Sequence, residues 1–62
     1  LKPDARAYRT VLARIQRPSD EAIFVDDVPE NIEGARAVGI HGVLYTAGMD
    51  LPAALAPLLN VP

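Results

Sequence analysis

Two adjacent carboxylates, Asp26 and Asp27, follow directly on the apolar run Ile23-Phe24-Val25 and precede Pro29 by only a few positions. Anionic side chains placed together at the end of a half-dry strand repel each other, and the arrangement is costly unless a cation offsets it. An oxygen-only donor set of this kind suits Mg²⁺, which takes one or two protein carboxylates, keeps several waters and shares a phosphate with its substrate. Capping of the following helix is the plainer use of an Asp at this place, but one carboxylate suffices for it. Two further residues invite chemistry. Lys2 stands in Lys2-Pro3-Asp4, and His41 is the single histidine.

The elements that must position these groups are legible around them. Ala5, Tyr8, Val11, Leu12 and Ile15 recur at helical spacing, with Arg6, Arg9 and Arg14 on other faces as a solvated surface. Pro3 or Asp4 begins this helix and Pro18 ends it, and Ser19-Asp20-Glu21 is a polar turn into a strand, Ile23-Phe24-Val25. A second helix opens with Pro29 in its first turn, places Val28, Ile32 and Ala35 on one side, and ends at Gly39, a left-handed cap. A second strand over Gly42–Thr46 completes a βαβ unit with a parallel pair and a right-handed crossover. His41 then falls in the turn before that strand, at the end away from the acids, and reads as a plain turn residue. Asp50 caps a last helix with Pro52 in its first turn, whose stripe Leu51, Leu55, Leu58 and Leu59 is expected to cover the sheet, while Tyr45 and Met49 pack the preceding loop.

Parallel strands bind ligands in the crevice beyond their C-terminal ends, where the acid pair stands. The first helix, about 13 residues and roughly 20 Å long, is followed by a turn and strand returning about 15 Å, which brings Lys2 back near Asp26 and Asp27. A flexible ammonium beside paired carboxylates, a Mg²⁺ ion and a helix N-terminus is the equipment of a phosphoryl site.

The 62 residues amount to at most one domain, at a length where a core is marginal and no cysteine is present to staple it. Absence of cysteine fits a reducing, cytoplasmic setting, and the chain shows no secretory leader pattern and no apolar run long enough to span a bilayer. A net charge of -2 gives no footprint for nucleic acid, and a 50% hydrophobic share argues for a folded chain.

Lys2-Pro3-Asp4, Tyr8, the run Ile23–Asp27, and Asn31-Ile32-Glu33-Gly34-Ala35-Arg36 through Gly39 form a linked set covering most of the chain. This set resembles the haloacid dehalogenase (HAD)-like hydrolase superfamily, in particular members with an early helical cap such as the phosphatase domain of bifunctional epoxide hydrolases. The resemblance implies an α/β fold, the C-terminal portion of a Rossmann-like core, as α-β-α-β-α with two parallel strands over residues 1–62. It implies that Lys2 steadies the nucleophile and phosphoryl oxygens, that Asp27 binds Mg²⁺ directly, and that Asp26 binds it through water. Asn31 takes a place where many relatives carry another acid, which implies a hydrogen-bonding role beside the ligands. An acid at position 27 favours phosphatase chemistry over dehalogenation.

The chain also departs from that pattern. The nucleophilic Asp, with its acid-base Asp two positions later, belongs on an earlier strand, and a Ser or Thr motif follows another; both are expected ahead of Leu1. The implied parent is a phosphatase acting on a small phosphorylated metabolite through an aspartyl-phosphate intermediate, and the 62 residues alone are expected to be inactive. In the resembling fold the strand before the acids sits between two neighbours, so here it shows an unpaired apolar edge, for the missing N-terminal part or for self-association. Two other readings compete: a receiver-like signalling piece, which shares Val25-Asp26-Asp27-Val28-Pro29 but has a longer next helix, and a non-catalytic module that pairs through its sheet edge.

Overall fold

The computed structural model describes residues 4–59, so Leu1, Lys2 and Pro3 lie outside it together with Asn60, Val61 and Pro62. The order is α1 (Ala5–Ile15), a short 3-10 turn (Ser19–Glu21), β1 (Ile23–Asp26), α2 (Pro29–Ala37), β2 (His41–Leu44) and α3 (Leu51–Leu55). The expected α-β-α-β-α sequence with two parallel strands is therefore the fold. β1 and β2 pair in parallel, with Ile23 opposite His41, Phe24 opposite Gly42, Val25 opposite Val43 and Asp26 opposite Leu44.

Local chemistry accounts for most of the boundaries. The Asp4 carboxylate accepts the Arg6 amide at 2.9 Å and caps α1. The helix ends at Ile15, with Gln16 in the left-handed region, earlier than Pro18 alone dictates, because the residue before a proline is itself pushed out of the helical region. α2 starts on Pro29, whose missing N–H costs nothing in a first turn. It is closed off by Gly39 at a φ of 87°, where a Cβ would meet the Ser19 hydroxyl at 2.7 Å.

The core sits between α1, α2 and the sheet. Tyr8, Ile32, Ala35 and Ile40 are buried, with Leu12, Ala22, Phe24 and Val38 packed around Tyr8, Ala35 and Ile40. The Tyr8 and Phe24 rings meet edge to face, 5.5 Å between centroids. Gly42 lets α2 lie close on the sheet: a Cβ there would stand 2.9 Å from Ile32 Cγ2.

Three expectations need correction. His41 is the first residue of β2 rather than part of the turn, paired with Ile23, its ring Nε2 2.9 Å from the Asp20 carbonyl. Only part of the α1 stripe packs inward, since Val11 and Ile15 are 58% and 50% exposed. The last helix is five residues long and does not cover the sheet; Leu58 and Leu59 lie beyond it and are exposed. Pro57 has no amide to donate, which interrupts the ladder, and one further turn follows in which the Leu58 and Leu59 amides donate to the Leu55 carbonyl at 2.9 and 3.0 Å. No helix among the described residues is long and apolar enough to cross a membrane.

Candidate functional site

Asp26 is the last residue of β1, where the Tyr45 amide donates to its backbone carbonyl at 2.7 Å and extends the pairing past Leu44. The backbone at this point is thus fixed by the sheet. Its side chain is fixed as well. Oδ2 accepts from Asn31 Nδ2 at 2.8 Å, and Oδ1 accepts from the Val28 amide at 3.2 Å. The Asn31 carboxamide first, then the Val28 and Asp27 groups, hold the Asp26 carboxyl below its ordinary value against a partial desolvation that works the other way.

Asp27 is exposed and follows directly. Neither acid caps α2: its N-cap is Val28, with no side-chain bond. The ion pairs among the described residues join Arg6 to Asp4, Arg17 to Glu21 and Arg36 to Glu33, so none of them reaches Asp26 or Asp27. Two neighbouring carboxylates thus stand at the C-terminal end of a parallel strand with no protein cation among the described residues to offset them. The donor set fits a hard divalent ion that takes one or two protein carboxylates and fills its remaining positions with water and phosphate. Described residues offer no third acidic, His or Cys group for the same ion. Mg²⁺ requires none, and Zn²⁺ is poorly served by such a set.

The other residues singled out by the sequence separate clearly. Asn31 stands in the first turn of α2 and reaches Asp26. Lys2 lies outside the described residues. His41 begins β2, whose other end, Leu44, pairs with Asp26, so strand length keeps the imidazole from the acids.

One contact was hidden from sequence reasoning. Tyr8 donates its hydroxyl to the Asn31 carbonyl at 2.6 Å, joining α1 to the turn of α2 that carries the Asp26 partner. The available signal was the residue type: a Tyr on an apolar stripe brings a hydroxyl that seeks a partner once buried.

Comparison with known proteins bears on the family and the fold. The family model described as "HAD-hyrolase-like" matches residues 1–60. A sesquiterpene phosphatase of Aspergillus oryzae is 47% identical over 45 residues, which are 73% of this chain and 23% of that protein. A drimenol cyclase of Aspergillus calidoustus is 41% identical over 44 residues, 71% of this chain and 8% of the cyclase. Acyl-CoA dehydrogenase family member 10 of Mus musculus is 34% identical over 61 residues, 98% of this chain and 6% of that protein. Among solved structures, a HAD family enzyme of Bacteroides thetaiotaomicron in complex with magnesium and inorganic phosphate aligns with a TM-score of 0.74 and 26% identity, over 87% of this chain and 27% of that one. The chain thus spans under a third of the length of each of these four proteins. With nearly every residue inside the family match and a fold shared with a solved member, this chain belongs to the HAD-like hydrolase family.

Proposed function

We propose that residues 1–62 are the C-terminal part of the core of a longer Mg²⁺-dependent HAD-like hydrolase, a phosphatase acting on a small phosphorylated metabolite. The carrying observation is the acid pair at the end of β1, uncompensated by any cation among the described residues, with Asp26 fixed from two sides by Asn31 and the Val28 amide. The phosphatase among the relatives supports phosphoryl over carbon-halogen chemistry, and the magnesium and phosphate bound to the Bacteroides enzyme support the choice of ion and substrate class.

Asp27 holds the ion directly and Asp26 stands beside it, linked through water. When bound, Mg²⁺ offsets charge on the phosphoryl oxygens. Asn31 keeps the Asp26 carboxylate aimed, because its carboxamide donates to Oδ2. Lys2 contributes a positive charge for the phosphoryl oxygens and the nucleophile. The nucleophile, an Asp outside these residues, carries the aspartyl-phosphate intermediate, so these residues supply the metal and lysine half of the site.

The test is hydrolysis of phosphate monoesters by the longer protein, with and without chelator. Activity that needs Mg²⁺, and that Lys2→Ala and Asp27→Ala each remove, is the expected result. Chelator-resistant turnover, or full activity in Asp27→Ala, overturns the proposal.

A further inference from the structure

Tyr8 is 7% exposed and carries the one buried hydroxyl that ties two helices of the described residues together. Its ring alone accounts for the packing: the edge-to-face contact with Phe24 and the neighbours Leu12, Ala35 and Ile40 are all apolar and would be kept by Phe. The hydroxyl adds a single directional bond of 2.6 Å to the Asn31 carbonyl. Burial of Ile32 and Ala35 fixes the height of α2 over the sheet, but apolar contact is non-directional and leaves small rotations of the half-buried first turn at Asn31 free. That freedom matters at one residue. The same Asn31 whose carbonyl accepts from Tyr8 points its carboxamide at Asp26 Oδ2, 2.8 Å away.

We infer that Tyr8 is a positioning residue for the acid pair: its hydroxyl pins the first turn of α2 so that Asn31 Nδ2 meets Asp26 in the orientation that binds the divalent ion. This rests on the reading of Asp26 and Asp27 as the Mg²⁺ site. Phe at position 8 preserves the hydrophobic core and removes only the pin. The carboxamide then samples several orientations, and Asp26 loses a fixed aim at the ion. Groups that orient metal ligands by hydrogen bonding typically account for about 10–100-fold in affinity. Tyr8 acts one bond further out, so its share is at or below the lower end of that range.

The experiment is calorimetric titration of Mg²⁺ into the longer protein as wild type, Tyr8→Phe, Asn31→Ala and the double variant, with the Asn31 side-chain amide resonances followed by NMR before metal is added. Tyr8→Phe is expected to weaken Mg²⁺ binding about 5–10-fold and to move the Asn31 carboxamide signals, with no effect of Tyr8→Phe on binding once Asn31 is Ala. Para-aminophenylalanine at position 8, which keeps a donor at the ring's far end, restores both readouts. Three results overturn the inference: unchanged affinity and unchanged Asn31 signals in Tyr8→Phe; additive losses in the double variant, which mark a purely structural tie; or loss of the fold in Tyr8→Phe with no rescue by the amino analogue. Wild-type protein that binds no Mg²⁺ overturns this inference together with the metal-site reading, whereas binding that Tyr8→Phe leaves untouched overturns this inference alone.

Discussion

Gly42→Ala is expected to damage both the stability of the fold and the affinity of the acid pair for metal. An added Cβ stands 2.9 Å from Ile32 Cγ2 and 3.1 Å from Arg36 Cγ. The first contact is about 0.6 Å short of the roughly 3.5 Å at which carbon atoms attract. Arg36 is half exposed, but its guanidinium donates to the Gly42 carbonyl at 2.9 Å, so it yields only by giving up that bond, and Ile32 is 2% exposed with the single χ1 rotamer of a β-branched residue in a helix. Relief therefore comes from moving α2. Overpacking of this kind costs about 1–3 kcal/mol, and replacing Gly within a strand returns about 0.5–1 kcal/mol, leaving a net loss on the order of 1 kcal/mol. Asn31 precedes Ile32 directly, so a shift of that size lengthens its 2.8 Å bond to Asp26 to at most about 3.4 Å and weakens it. Urea unfolding of the longer protein, read as a midpoint at unchanged slope, gives the stability, and Mg²⁺ titration gives the affinity. Gly39→Ala is the control, because its φ of 87° makes it destabilising at the far end of β2 while the acids stay in place. A Gly42→Ala protein as stable as wild type, or one that binds Mg²⁺ as tightly, refutes the claim that the Gly42 contact sets the height of α2 over the sheet.

Other outcomes are expected. Asp27→Ala in the longer protein weakens Mg²⁺ binding and removes most phosphatase activity while His41→Ala changes little; equal losses in initial-rate assays contradict the placement of the site. Arg6 holds the Asp4 carboxyl below its ordinary value, so this tie contributes stability that is complete above the unfolded-state value and is lost as pH falls through the lower folded-state value; Arg6→Ala moves Asp4 upward in an NMR titration and brings that loss to higher pH. The 62 residues expressed alone turn over no p-nitrophenyl phosphate, and turnover that survives purification but vanishes in Asp27→Asn refutes this. The same isolated chain self-associates or melts broadly, since Val25, Val28, Leu44 and Tyr45 are more than a third exposed and β1 has a free edge among the described residues. A sharp melt independent of concentration in sedimentation-checked monomer contradicts it.

Much of this fold was legible because local chemistry and tertiary packing agree. Asp4, Pro29, Gly39 and Asp50 each mark a helix end by a mechanism contained in a few residues, and Ile23-Phe24-Val25 followed by acids admits few readings. Errors arose where packing or a single proline overrode periodicity. Leu58 and Leu59 continue the stripe of Leu51 and Leu55, yet they lie in a turn past Pro57, whose missing amide interrupts the ladder, and they stay exposed. Val11 and Ile15 repeat at helical spacing, yet the partner face of α1 reaches only as far as Tyr8 and Leu12. At the site, the residue types Asp26, Asp27 and Asn31 were readable, whereas the bonds between them were not. A pairing five residues apart depends on the turn between β1 and α2, and the Tyr8 bond to Asn31 spans 23 residues and exists only once α1 has docked.

The central claim, that Asp26 and Asp27 form a divalent-cation site, is tested most directly by the anomalous scattering of Mn²⁺ substituted for Mg²⁺ in crystals of the longer protein. The account predicts a peak about 2.0–2.2 Å from an Asp27 carboxylate oxygen, with the Asp26 carboxylate beside it and still bonded to Asn31. A peak bonded to other residues, or a protein lysine or arginine lodged between the two carboxylates in place of the ion, contradicts it.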